Sequence, residues 1–289
     1  MAQKRALAVH DISCVGRCSL TVALPILSAA GIETAVLPTA LLSTHTGGFT
    51  GFTYRDLSAD INSISDHWYA MGLSFDSIYT DYLASVGQIE LVAALMERFG
   101  ANALKLVDPV MADNGALYTG FSDDYPIAMR RLCGMADIII PNMTEAFLLL
   151  GEEYTPGPYE KAHFEGLIRR LSAVNRSIVV VTGVYFNSVD LGAAVYDPET
   201  DEVSYCFDKR IPGTLHGTGD VFSSAFLGAL LNGSSLIEAV GTAVCYTRST
   251  IETTFAVGKD TRMGPCFEIT IPEYIAMLGL DRRGNIVGC

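Results

Sequence analysis

The 289-residue chain sets 19 Lys and Arg against 32 Asp and Glu, a formal net charge of −13, and 49% of its residues are hydrophobic. The acid excess excludes nucleic acid and anionic membrane surfaces as partners, since both need clustered basic side chains, but leaves room for a small anion held by a few local donors. The apolar share suffices for a sizeable core, and seven scattered cysteines without a CxxC pair read as reduced thiols of a cytoplasmic protein.

Taken in chain order, ALAVH (6–10) is the first expected strand, and His10 and Asp11 follow ALAV too soon for a signal-peptide core. After it comes HDISCVGRCSL, then SLTVALPILSAAG (19–31) with helical periodicity. The uncharged run 34–54 is long enough to span a membrane, but its six Thr, one Ser, one His and one Pro make it a strand followed by a polar loop. SIYTDYL (77–83), ALKLVD (103–108), ADIIIPN (136–142) and SIVVVTG (177–183) read as strands buried on both faces. Between them GQIELVAALMERFG (87–100) and HFEGLIRRLSAV (163–174) read as helices. LGAAVYDPETDEVSYCFDKR (191–210) reads as an antiparallel hairpin, with Lys209 and Arg210 at its solvated end. Beyond Asp220 the chain is expected to be helical, with a final strand at CFEITI (266–271). The alternation predicts an α/β fold of three α/β/α layers, with a mostly parallel central sheet and an antiparallel edge hairpin. With no repeat and no linker, it is expected to form one domain over 1–289.

In such sheets ligands sit beyond the carboxyl ends of the strands. Polar residues stand at nearly every such end: Asp11 and Ser13, His45 and Thr46, Asp108, Asn142 and Glu145, and Thr182. In PNMTEAFLLL, Asn142 and Glu145 have the spacing of a capping box; the same two could orient water on Mg²⁺, which prefers oxygen ligands. Asp108 carries the same two readings, a strand-end cap or a carboxylate near metal and phosphates. In HGTGDVFSSAFLGALL a helix starting near Asp220 or Val221 would turn its unpaired N–H groups toward an anion, and the glycines would let backbone approach a phosphoryl group. Asp220 would repel that phosphate unless it takes the proton from the attacking hydroxyl. The plainer reading is an Asp N-cap after a Gly-rich turn. No P-loop, G-x-G-x-x-G, G-x-S-x-G or H-E-x-x-H motif is present.

GTGD before a small-residue helix, DPVM after a central strand and PNMTE after the next together resemble the ribokinase-like superfamily, and within it the pyridoxal (vitamin B6) kinase group. The resemblance runs from HDISCVGRCSL to TRMGPCFEITI; LSTHTGGF resembles that group's SNHT loop, and TDYLASVGQI its GYLGS segment. It implies ATP-dependent phosphorylation of the 5′-hydroxymethyl group of pyridoxal, pyridoxamine or pyridoxine. Asp220 would be the base, and Gly217, Thr218 and Gly219 the anion hole for the γ-phosphoryl. Ser13, His45, Thr46 and Tyr82, with Asp11 beside them, would surround the pyridine ring. Asp108, Asn142 and Glu145 would organise Mg²⁺ and the ATP phosphates, with Asp108 and Glu145 as the metal carboxylates. Thr182 would contact a phosphate and Tyr118 would cover the nucleotide, while loop 43–53 would help exclude water. Such kinases are usually dimers and often use K⁺ beside Mg²⁺, so the resemblance implies a homodimer and the use of K⁺ beside Mg²⁺. His216 before GTGD resembles the hydroxymethylpyrimidine kinases of thiamine synthesis, although their motif ends in Cys where this chain has Asp220, and SCVGRC replaces their SGG. That activity is the alternative, and a non-catalytic nucleotide- or vitamin-binding regulator is a third, opposed by the carboxylate at position 220.

Overall fold

The computed structural model describes residues 3–213, 215–258 and 260–280. Its elements begin with β1 (Arg5–Ser13), α1 (Leu20–Ala29), β2 (Glu33–Leu42), β3 (Tyr54–Asp56), α2 (Ser58–Ala70), β4 (Ser77–Thr80) and α3 (Val86–Phe99). They continue with β5 (Leu104–Val107), β6 (Ala112–Asp113), β7 (Ala116–Leu117), α4 (Tyr125–Cys133), β8 (Ile138–Ile139), α5 (Met143–Leu150), α6 (Lys161–Ser172) and β9 (Ile178–Val184). Then come β10 (Asp190–Asp197), β11 (Glu202–Lys209), α7 (Thr218–Leu231), α8 (Leu236–Val257), a 3-10 turn (Thr261–Met263) and α9 (Phe267–Met277). This is the expected three-layer α/β fold, with a mostly parallel central sheet and an antiparallel hairpin. The chain divides into two compact units, one built from residues up to Asp56 and from Ile211 onward, the other from Leu57–Arg210.

In the first unit β1 pairs in parallel with β2, and β2 pairs antiparallel with β3. Ala6, Leu7, Ala8 and Val9 are fully buried, which accounts for the unbroken apolar run of a strand covered on both faces. The strand runs on to Ser13, past the expected end at His10, through an irregularity in its register between His10 and Ile12. Helix α7 packs on α1 and α8, and small side chains allow the close approach. A Cβ at Gly228 would lie 2.1 Å from the Tyr274 hydroxyl oxygen, and that hydroxyl donates to the Ala225 carbonyl at 3.1 Å. The expected final strand at 266–271 is instead the start of α9. Phe267, Thr270 and Tyr274 are its buried residues, a helical spacing, and the Thr270 hydroxyl bonds back to the Phe267 carbonyl.

In the second unit β4, β5, β8 and β9 run parallel, and β9, β10 and β11 follow as an antiparallel succession. The 191–210 hairpin is therefore present, its turn formed by residues 198–201. Helices α5 and α6 pack on β9, and α5 also packs on β6. β6 and β7 form a small hairpin whose turn residues, Asn114 and Gly115, have φ of 51° and 83°. An Asn-Gly pair meets that demand at little steric cost. Among the described residues no helix is long and apolar enough to cross a membrane, and the six described cysteines form no disulfide.

Candidate functional site

Helix α7 begins at Thr218, two residues earlier than the sequence suggests, with Gly217 as its N-cap at φ 89°. A Cβ at Gly217 would lie 2.2 Å from the Arg17 carbonyl oxygen, so both the conformation and the packing demand glycine. The first-turn N–H groups have no acceptor within the helix. Beside Gly219 an added Cβ would meet nothing within 4 Å, which leaves open space against those donors. Asp220 is the third helical residue, so it is not the N-cap, and no side chain caps this helix. Its carboxylate is buried, and Oδ2 accepts the Ser19 N–H at 2.7 Å. The capping explanation of Asp220 is thereby removed.

Asp11 and Ser13 lie two apart in the last residues of β1 and so share a face. The Ser13 hydroxyl donates to Asp11 Oδ2 at 3.0 Å. Burial raises the Asp11 carboxyl above its ordinary range; hydrogen bonds from Ser19 and Ser13 oppose that, and the Asp220 charge adds to it. Two buried acids thus share one neighbourhood, with Ser19 touching both.

In loop 43–53 the buried His45 has Nε2 2.7 Å from the Arg262 carbonyl oxygen, while the Gly47 N–H donates to Nδ1 at 3.1 Å. That pair of bonds fits only the neutral ring with its hydrogen on Nε2, and burial accordingly lowers its pKa. Both nitrogens are committed to main chain. The exposed His216 ring lies against Gly47, where a Cβ would come 2.6 Å from its Cγ, and Arg262 stands 5.5 Å over the Phe49 ring. Thr46 is exposed beside them.

The remaining candidates belong to the second unit. Asn142 and Glu145 do form the expected capping box, with Asn142 Oδ1 accepting the Glu145 N–H at 3.0 Å and Glu145 Oε2 accepting the Asn142 N–H at 2.9 Å. Glu145 Oε1 also accepts the N–H groups of Met111 and Ala112 at 3.0 and 3.4 Å, and Asn142 Nδ2 donates to the Ala112 carbonyl at 2.8 Å. The start of α5 therefore grips the segment after Asp108. Burial pushes the Glu145 carboxyl up to about 8, against these three backbone donors. Asp108 is buried just beyond β5, its N–H bonded to the Thr80 carbonyl at 2.9 Å. Half-buried Thr182 meets Asn142 through a parallel bridge. The Tyr82 ring lies 5.5 Å from Phe121, which stacks on Tyr125 at 4.0 Å, and the Tyr118 N–H donates to the Met111 carbonyl.

The structure thus joins Asp11, Ser13 and Asp220 in one cluster, and Asn142, Glu145 and Thr182 in another. Sequence reasoning passed over Ser19 and the Arg17 carbonyl. Gly217 was the local signal for the Arg17 carbonyl, since a glycine before a helix marks a close backbone approach.

The model of the phosphomethylpyrimidine kinase family matches residues 25–265, most of the chain. The chain belongs to that family. It is a kinase of the group that holds both pyridoxal kinases and hydroxymethylpyrimidine kinases. Pyridoxal kinase from Lactobacillus plantarum is 34% identical, with a TM-score of 0.88, covering 96% of this chain and 99% of that one. A Bacteroides thetaiotaomicron structure assigned to the phosphomethylpyrimidine kinases, in a crystal form with pyridoxal, is 35% identical with a TM-score of 0.89, covering 94% and 96%. The hydroxymethylpyrimidine/phosphomethylpyrimidine kinase of Rhizobium meliloti is 27% identical over 255 residues, 85% of this chain and 90% of its own length.

Proposed function

We propose that this kinase transfers the γ-phosphoryl group of ATP to the 5′-hydroxymethyl group of a B6 vitamer, with Asp220 as the base. The observation that carries it is the placement of Asp220: a buried carboxylate in the first turn of α7, fixed through one oxygen by the Ser19 amide and not spent on capping. The carboxylate takes the hydroxyl proton as the acceptor oxygen attacks phosphorus. N–H groups at Gly217, Thr218 and Gly219 stabilise charge on the equatorial phosphoryl oxygens, in the open space beside Gly219. On the family resemblance Asp11, Ser13, His45, Thr46 and Tyr82 hold the acceptor ring, and His45 also shapes loop 43–53 through its two main-chain bonds.

The donor set suits Mg²⁺. Asp108 and Glu145 offer oxygen donors, the ligand type Mg²⁺ prefers beside phosphates and water. Asp108 would hold it directly, whereas Glu145, with three backbone donors on its oxygens, would act through water. When bound, Mg²⁺ neutralises phosphate charge. Thr182 and Asn142 contact phosphate, and Tyr118 covers the nucleotide. K⁺ dependence, a homodimer and a cytoplasmic location are proposed on the family resemblance.

Pyridoxal in the Bacteroides thetaiotaomicron crystal form supports the vitamer. So does Asp220, where the pyrimidine kinases carry Cys. Asp220→Asn should leave ATP binding within about twofold and lower kcat by about 10²–10⁴-fold. Near-normal turnover in that variant would remove Asp220 from the mechanism.

A further inference from the structure

Ser19 is the N-cap of α1, yet its side chain makes no capping bond. A serine at that position normally spends its hydroxyl on an N–H of the first turn. Here the hydroxyl bonds to Asp11 instead, while the main-chain N–H goes to Asp220 Oδ2 at 2.7 Å. The backbone is unusual as well. At φ 53° and ψ −127° it has the conformation of the first central residue of a type II′ turn, which sequences normally give to glycine. A serine there costs energy, and such strain persists where the surroundings over-determine it. The surroundings do so here. The Ser19 carbonyl accepts the N–H groups of Val22 and Ala23, the Thr21 hydroxyl donates to the Cys18 carbonyl at 2.9 Å, and Ile12 bridges to Ser19 from the end of β1. Ser19 is also almost wholly buried, so water does not compete for these groups.

We propose that Ser19 is a positioning residue for phosphoryl transfer, a tie that holds the Asp220 carboxylate by its amide and anchors that amide through its hydroxyl on Asp11. The inference rests on Asp220 being the base. With Oδ2 held by the amide, rotation of the carboxylate is restricted. The strained conformation aims the amide at residue 220 rather than along α1. The Asp11 contact prevents it from relaxing into an ordinary cap.

Ser19→Gly tests this, because glycine tolerates the backbone angles and keeps the amide but frees both the hydroxyl tie and the conformation. Ser19→Ala removes the hydroxyl alone. Each variant is assayed for kcat, for KM of ATP and acceptor, and for thermal stability, in the native and the Asp220→Asn backgrounds. The expected result is a fall in kcat of about ten- to hundredfold for Ser19→Gly and a smaller fall for Ser19→Ala. ATP KM should stay within about twofold. In the Asp220→Asn background the same substitutions should lower the residual kcat by less than about twofold, since groups acting through one another are not additive. An unchanged kcat in Ser19→Gly, or an equal fall in both backgrounds, would overturn the proposal. Full turnover in Asp220→Asn alone would instead overturn the base assignment, so the two failures are distinct.

Discussion

Glu145→Gln separates the structural work of this carboxylate from its expected work at the metal. Its two oxygens accept three backbone N–H groups, one from Asn142 and two from Met111 and Ala112. Glutamine is nearly isosteric but replaces one acceptor with a donor. In either amide orientation a buried N–H faces an NH₂ group, so at least one main-chain donor loses its partner. An unsatisfied buried donor costs about 1–3 kcal/mol. For a chain of this size that corresponds to a melting temperature lower by roughly 2–12 °C. The loss falls on the joint between α5 and the 108–118 segment, so ATP KM should rise as well. Scanning calorimetry of the ligand-free protein gives the first quantity, and initial rates over an ATP series give the second. A variant that melts within about 1 °C of the parent would refute the claim that this carboxylate staples the two segments. Unchanged stability with a raised ATP KM would assign Glu145 to the ligand alone.

Gly217→Ala should lower both stability and turnover, because its Cβ would sit 2.2 Å from the Arg17 carbonyl oxygen at a φ of 89°; a loss of about 1–3 kcal/mol is expected in denaturant titration. His45 is held neutral with its pKa lowered from 6.5, so the unfolded chain binds the extra proton first. Its contribution is complete above pH 6.5 and is lost as pH falls from there through the folded value. Melting temperatures taken from pH 8 to pH 5 should decline less steeply in His45→Gln than in the parent.

The parts of the fold that local patterning determines were legible. Asn142 and Glu145 are three residues apart and announce a helix start without reference to anything else. The buried parallel strands stood out because both faces are apolar. Helix α2 did not, since its apolar stripe is narrow, Ile61, Ile64 and Trp68 among polar neighbours, and only Ile61 and Ser65 of its residues are buried. CFEITI alternates over too few residues to tell period 2 from a helical face, and the packing of Tyr274 on α7 settles the matter as helix. β6 and β7 are two residues each, so the Asn-Gly turn between them was the only readable mark.

At the candidate site the residue types were legible and their ties were not. Glycines at 217 and 219 made the turn look longer than it is, and the close approach of Gly217 to the Arg17 carbonyl joins residues far apart in sequence. The hydrogen bond from Ser19 to Asp220 joins residues 201 positions apart. His45 was legible as a site histidine, but its commitment to Gly47 and Arg262 follows from the folded loop alone.

The most direct test is ATP- and Mg²⁺-dependent phosphorylation of pyridoxal, pyridoxamine, pyridoxine and hydroxymethylpyrimidine, run side by side with identification of each product. The account predicts the highest kcat/KM for one of the three B6 vitamers, with phosphate on the 5′-hydroxymethyl oxygen. A preference for hydroxymethylpyrimidine would contradict it and place the enzyme with the pyrimidine kinases of its family.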